Sequence, residues 1–448
     1  MARKQAQPLL CVLSMTGRSR TAVAIALMVS WLAILPAYAQ PVWSLRGQAT
    51  FVDQYHPAFH AAYSGANSLS PASRGNETFD ATLFVGARLW HGGSVHADPE
   101  VDQGFGLSNT LGVAGFPSGE AYKVGQSTPY LRLQRLFFRQ RFTFGTPDAS
   151  SRLSTGRPAH APDTVVITLG KFAVTDIFDT DWYAHDPRTN FLNWALIDTG
   201  TFDYAADAWG YTYGGAVEWT HHWWTLRTGL FDLSRVPNSS QLVRGFGQYE
   251  VVGEFEGRFH LNGLPGQAKI TGFVNDGRMG SYLDALALAR ATHTLPSTAL
   301  VRKKGSRTGV SIDIDQQITR ALGLFLRAGI DDGSKETYEF TEINRTVAVG
   351  LSLKGLDWKR PHDTVGAAFV INGLSRKARA YFAAGGLGLL IGDGRLNYST
   401  EDIFESYYSA KLNSWLTASF DYQFVLHPAY NRARGPVHIF ALRLHIAT

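Results

Sequence analysis

Residues 249–260 read YEVVGEFEGRFH, and the fold turns on this stretch. Tyr249, Val251, Gly253, Phe255, Gly257 and Phe259 alternate with Glu250, Val252, Glu254, Glu256, Arg258 and His260. A period of two belongs to a β-strand, whose successive side chains point to opposite faces. One face is therefore apolar and the other charged. The same dyad returns at Phe79, Ala81, Leu83, Val85, Ala87 and Leu89, with Asp80, Thr82, Gly86 and Arg88 opposite them. It returns again at Leu416, Ala418, Phe420, Tyr422, Phe424 and Leu426, against Thr417, Ser419, Asp421 and Gln423.

Outward from these segments the strands fall into pairs, as in 209–219, a turn at His221-His222, and 224–233. Short links carry Asn262-Gly263 or Leu322-Gly323, whereas long ones cover roughly 105–128, 175–203, 275–308 and 374–396. Tight turns at one end and long loops at the other describe an outer-membrane barrel. A soluble sandwich or propeller also alternates, but a propeller would repeat about every 40 residues, and this chain does not. Aromatic placement favours the membrane: Trp209, Tyr211 and Tyr213 begin one strand, and Trp219, Trp223 and Trp224 bracket its turn, as two interfacial girdles require. At ~10 residues per tilted strand, residues 40–448 accommodate about sixteen to eighteen strands. The expected fold class is all-β, a transmembrane antiparallel β-barrel of about 16 strands that forms one domain and is wide enough for an aqueous channel. Residues 282–291, YLDALALARA, have helical character and suit a plug or lid in a loop.

Arg3, Lys4, Arg18 and Arg20 precede an apolar run from Thr21 to Pro36, which ends in Ala37-Tyr38-Ala39. This is the form of a Sec-type signal peptide over residues 1–39 with cleavage before Gln40, and it implies export. The run is shorter than the ~20 residues of a spanning helix. The single cysteine, Cys11, lies in the leader behind Leu10, so the exported chain is expected to carry neither disulfide nor lipid. The leader holds four of the 42 basic residues and none of the 37 acidic ones, which leaves the mature chain at +1. That balance argues against nucleic acid as a partner.

Residues 100–110, EVDQGFGLSNT, resemble the carbohydrate-selective porins of the OprB type. Residues 112–125 (GVAGFPSGEAYKVG), Gly170-Lys171-Phe172, residues 176–203 and the C-terminal 430–436 (YNRARGP) are similar to the same family, so the resemblance spans nearly the whole mature chain. It implies a sixteen-stranded porin of the Gram-negative outer membrane, trimeric or monomeric. Its infolded loops would narrow a channel for small neutral sugars, monosaccharides such as glucose. One departure is the C-terminus, Ile446-Ala447-Thr448, where outer-membrane proteins usually end on an aromatic residue; Phe440, Leu442, Leu444 and Ile446 nevertheless read as lipid-facing.

A sugar pore must replace part of a polyol's hydration shell with side chains that bind weakly enough to let go. Candidate residues are therefore polar, inward-facing and mixed in sign. With Leu136, Phe138, Phe142 and Phe144 on one face of their strand, Arg135, Arg139 and Arg141 share the other. Cations on the lipid face would cost ~2–4 kcal/mol each near the midplane, so they belong in the lumen. Arg88 joins them, and Asp80, Glu100 and Asp102 are acidic partners for a transverse field. The long stretch after Lys171, dense in charge and aromatics, is expected to fold inward and shape the constriction. Its candidates are Lys171, Asp176, Asp179, His185, Asp186, Arg188, Asn193 and Trp194.

Catalysis is not expected: His185, Asp186 and Ser234 could be imagined as a triad, but no G-x-S-x-G elbow exists. Glu254 and Glu256 read as lumen lining rather than a glycosidase pair. Gly385-Gly386-Leu387-Gly388 has no phosphate-loop context. His221-His222 is not read as a metal site, because neighbours on a strand point to opposite faces. No cofactor is expected. The remaining alternatives are a non-selective general porin, a polysaccharide exporter and an adhesin; a strongly basic exporter lumen is at odds with the near-neutral chain.

Overall fold

The computed structural model describes residues 42–122, 124–144 and 161–448. The expected leader with Cys11, Lys123 of the 112–125 motif, and the connection 145–160 lie outside the described residues. The strands are β1 (Trp43–His56), β2 (Arg74–Trp90), β3 (Gly93–Gly104), β4 (Gln126–Phe144), β5 (Ala161–Phe172), β6 (Thr212–His222), β7 (Trp224–Asp232) and β8 (Tyr249–Leu261). They continue with β9 (Leu264–Met279), β10 (Lys303–Gln317), β11 (Leu322–Asp331), β12 (Arg345–Gly355), β13 (Arg360–Gly373), β14 (Glu401–Lys411), β15 (Leu416–Leu426) and β16 (Val437–Ala447). Each pairs antiparallel with its neighbours in sequence, and β1 pairs with β16 from Gln48 and Ala447 to Tyr55 and Phe440, closing a sixteen-stranded barrel. Closure satisfies every strand's backbone without an edge, which is what lets β-structure cross lipid.

Apolar side chains face outward. On β8, Val251 is 42% exposed while the adjacent Glu250 and Val252 are fully buried inside. Among the described residues, the links at one end are short. Asn262 and Gly263 join β8 to β9 with φ of 52° and 78°, the left-handed pair a two-residue hairpin needs. Leu322 and Gly323, expected as a turn, instead open β11; the turn lies at 318–321, where the Thr319 hydroxyl accepts the Leu322 N–H at 2.9 Å.

At the other end are eight longer loops: L1 (57–73), L2 (105–125), L3 (173–211), L4 (233–248), L5 (280–302), L6 (332–344), L7 (374–400) and L8 (427–436). L3 carries α1 (Trp194–Ile197), L5 carries α2 (Tyr282–Thr292), matching the expected helical stretch, and L7 carries α3 (Arg376–Ala383). Helix α2 starts at Ser281, whose hydroxyl accepts the Asp284 N–H, and packs on α3 through Tyr282 and Tyr381, 4.9 Å apart. Among the described residues no helix is long and apolar enough to cross a membrane.

Trp219 and Trp223 stand exposed beside their turn, as a girdle requires. Trp209 and Tyr211 do not belong to a girdle. They precede β6 and lie inside the barrel, where the Trp209 indole N–H donates to the Tyr130 hydroxyl at 3.1 Å; of the three, only Tyr213 faces outward. The last strand keeps its register although the chain does not end on an aromatic residue: Ile446 pairs with Ala49 and Leu416, and Phe440, Leu442 and Leu444 point outward.

These faces set a depth-dependent expectation. Phe255→Arg, near the middle of β8, should cost ~2–4 kcal/mol in urea unfolding from lipid vesicles, whereas Leu261→Arg beside the turn should cost under about 1 kcal/mol.

Candidate functional site: the channel beside the infolded loop

L3 enters the barrel straight after Phe172, and its peptide groups leave water. A buried N–H or C=O needs a partner, and the inner wall supplies it. Glu254 of β8 accepts the Asp179 N–H at 2.8 Å, Asp315 of β10 accepts Trp182 at 3.2 Å, and Glu250 of β8 accepts Ala205 at 2.9 Å. Glu405 of β14 takes both Leu192 and Asn193, at 2.5 and 2.9 Å. From β11, Arg327 donates to Leu196 O (2.7 Å) and Asp179 O (3.0 Å), and from β16 Arg443 donates to Asn190 O (2.9 Å). L2 is held likewise, with Glu401 accepting Ala114 and Gly115, and Gln54 and Gln423 both donating to Pro117 O. Gly323 matters here, because a Cβ at that position would lie 2.1 Å from the ring of Tyr183 in L3.

Under these loops lies one apolar cluster that includes Phe172, Phe178, Phe191, Phe202, Phe273, Phe325 and Tyr407. It fills the barrel on the β6–β16 side. The open passage is therefore eccentric, a cavity of about 630 Å³. One wall is formed by β1 to β5 with Arg46, Gln48, Asp80, Asp98, Arg135, Phe137 and Arg139; the other by L2 and L3 with Phe116, Glu120, Tyr122, Asp176, His185, Asp186, Arg188, Trp194 and Asp198.

Charges meet across this gap. Arg188 reaches from L3 to Asp80 (3.4 Å) and Glu100 (3.8 Å) on the wall and to Glu120 of L2 (3.4 Å). Arg135 holds Asp176 through two nitrogens, at 2.7 and 2.6 Å. Arg132 pairs with Asp207 at 3.3 Å and lies 3.4 Å from the centre of the Trp209 ring. Arg139 pairs with Glu218 at 3.2 Å, and Glu218 also contacts Arg227. Trp194 is stacked between Phe116 (5.3 Å) and Phe340 (5.5 Å), so an aromatic row borders the passage.

Of the fourteen residues singled out from sequence, Arg135, Arg139, Asp176, His185, Asp186, Arg188 and Trp194 border the cavity. Glu100 is buried behind them, accepting from Thr82 and Tyr122, and Asp102 is buried beside Gln134. Lys171 donates to Leu133 O and lies 3.8 Å from Asp207. Asp179 and Asn193 are buried away from the cavity: the former accepts the N–H and hydroxyl of Thr199, the latter caps α1 at Ala195 and donates to Gly115 O of L2 and to Gln423 of β15. Arg88 and Arg141 are exposed near the short-turn end. Ser234 donates to Val236 O and Glu339.

Arg46, Asp98, Glu120, Tyr122, Arg132, Asp207, Trp209 and Tyr211 also stand at or beside the passage without a sequence pattern that singles them out for it. Arg132 escapes an alternation count because β4 is irregular where Asp98 pairs with Arg135 and Pro99 with Leu133, so that Gln134 is buried and Leu133 exposed. Trp209 and Tyr211 carried a signal, their aromatic density, that reads equally well as a membrane interface.

Several L3 groups are shifted by this setting. Burial alone would raise the Asp176 carboxyl, but the Arg135 guanidinium outweighs it and holds the group below its ordinary value. Arg188 does the same for Asp186. Burial, with Arg327 adding to it, lowers His185 and favours the neutral ring. Burial and the neighbouring Asp179 push Asp198 up to about 7.

The family model described as carbohydrate-selective porin, OprB family, matches residues 66–447. Among solved structures, the high-pH structure of OprB from Pseudomonas putida is 16% identical, with 91% of this chain and 94% of that one covered and a TM-score of 0.70. The outer membrane channel DcaP of Acinetobacter baumannii is 11% identical, with 92% and 100% covered and a TM-score of 0.50. At these identities the likeness is one of fold. No curated protein sequence matches the chain.

Two outcomes follow from the site. Glu405→Ala strands the amides of Leu192 and Asn193, about 1–3 kcal/mol each, and should loosen L3, seen as faster proteolysis within L3 and a larger, noisier current. Asp198 is neutral below about 7 and negative above it. Cation-over-anion permeability, read from reversal potentials in a salt gradient, should therefore rise between about pH 5 and 9, and Asp198→Asn should reduce that rise.

Proposed function

The chain belongs to the carbohydrate-selective porin family, and from that premise we propose that it is a passive channel through which small neutral sugars, monosaccharides such as glucose, cross the outer membrane. The observation that carries the reading is the makeup of the passage. Opposite charges are paired across the gap, Arg188 with Asp80 and Arg135 with Asp176, the Glu120 carboxyl lies beside Arg188, and an aromatic row borders the same space. Paired charges offer a polyol both donors and acceptors, while a lone ion meets a like charge at every step. The edges of that row give apolar contact to the C–H surfaces of a sugar ring. None of this requires energy input or a bond to break, so diffusion is the activity.

In this reading Arg188 is the principal selectivity residue, with Arg139 below it toward the short-turn end. The chain is exported by a Sec-type signal in residues 1–39, works in contact with outer-membrane lipid, and functions as a monomer or homotrimer.

The test is the current through the refolded protein in a planar bilayer, titrated with glucose, other monosaccharides and a disaccharide. A small current that monosaccharides block saturably supports the proposal. A large current indifferent to sugars makes the chain a general porin, and no current makes it a plugged barrel; either overturns the proposal. Arg188→Ala and Arg139→Ala should raise ion conductance, and Arg188→Ala should weaken sugar block about tenfold, the worth of one charge-assisted hydrogen bond. Wild-type conductance and block in both variants would remove these residues from the pore.

A further inference from the structure

At the start of β5 and the end of β6 lies a cluster that the channel does not use. Adjacent residues on a strand point to opposite faces only while the backbone stays extended. His222, the last residue of β6, breaks that condition with a φ of 48°, just ahead of the one-residue link at Trp223. The rings of His221 and His222 consequently come together, their centroids 4.3 Å apart. Asp163 completes the group: its Oδ2 is 3.0 Å from His221 Nδ1, and its Oδ1 accepts the His222 N–H at 3.2 Å. One ligand atom from each of the three lies within 4.8 Å of the other two. His221 also packs on Trp224, 5.6 Å between rings, and its side chain is 42% exposed.

We propose that Asp163, His221 and His222 form a binding site for a first-row divalent ion of the Zn²⁺ class. Two imidazoles and one carboxylate are a borderline N/O donor set, which suits Zn²⁺, Ni²⁺ or Cu²⁺; Ca²⁺ and Mg²⁺ prefer oxygen alone. Three protein ligands leave a fourth tetrahedral position to water. Bringing the ligand atoms to metal distance requires only rotation of exposed imidazoles, and the bound ion would tie the start of β5 to the β6–β7 turn. The other compact group of candidate ligands among the described residues, Asp181, Asp313 and Asp315, differs in kind. Lys269 lies 3.6 Å from Asp313 and 3.9 Å from Asp315, and Arg327 lies 2.7 Å from Asp313, so side chains already supply its positive charge.

The experiment uses the full mature chain, refolded without an affinity tag. Zn²⁺ is titrated calorimetrically, and Cu²⁺ by quenching of tryptophan fluorescence, which Trp224 beside His221 should report. The expected result is one saturable Zn²⁺ per chain, weakened ~10-fold or more in His221→Ala and Asp163→Asn, with matching loss of Cu²⁺ quenching. His222→Asn keeps a residue that tolerates positive φ, so it should fold and still lose binding. Sugar block of the current should be unchanged in all three variants, because the cluster stands apart from the cavity. No saturable binding by wild type overturns the proposal. So does wild-type affinity in both His221→Ala and His222→Asn, which would put the ion on other histidines.

Discussion

A loop folded into a membrane barrel takes its peptide groups out of water, and the barrel must hand them new partners. That requirement organises the inner wall. Glu250, Glu254, Asp315, Glu401 and Glu405 each accept one or more backbone amides of an infolded loop, and Arg327 and Arg443 donate to its carbonyls. Carboxylates suit the task because two oxygens can serve two successive N–H groups, as Glu405 does for Leu192 and Asn193. The charged face of the strands is thus first a framework for L2 and L3, and only along β1 to β5 a surface for solute.

The channel's shape follows from that division. Once L3 is pinned against β8, β10, β11 and β14, its aromatic residues pack into one apolar cluster on that side, and water is left with the opposite wall. The loop then presents Asp176, Asp186 and Arg188 to a wall that carries Arg135, Asp80 and Glu100. Under the proposed function, opposed charges at this spacing would order the water between them and disfavour a bare ion more than a neutral polyol, which would make selectivity a consequence of how the loop is anchored.

Much of the architecture was legible in the residues, because a two-residue period and the position of tight turns survive without tertiary information. The strands around Tyr249 and Leu416, the helix at Tyr282 and the inward course of the loop after Lys171 all follow from such local signals. The irregularity in β4 did not, since a single unpaired residue shifts the inward set and leaves no mark on composition; Arg132 was lost with it. Trp209 and Tyr211 were misread because an aromatic at a strand end looks the same whether it faces lipid or lines a channel. Asp179 and Asn193 show the converse limit: polar residues in a charged loop can be spent on holding the loop, Asp179 on Thr199 within it and Asn193 on Ala195, on Gly115 of L2 and on Gln423 of β15. The left-handed turn at His222 likewise overrides the strand alternation that separated the two histidines on paper.

The claim on which the rest depends is that wall carboxylates hold L3 in place and so set the bore. Exclusion of graded polyethylene glycols from the open channel measures that bore directly, in the wild type and in a Glu254→Ala, Glu405→Ala double variant. The variant, still an inserted sixteen-stranded barrel, should admit distinctly larger polymers than the wild type. An unchanged cutoff in a correctly inserted variant would contradict that claim and would mean that something other than these anchors keeps the passage narrow.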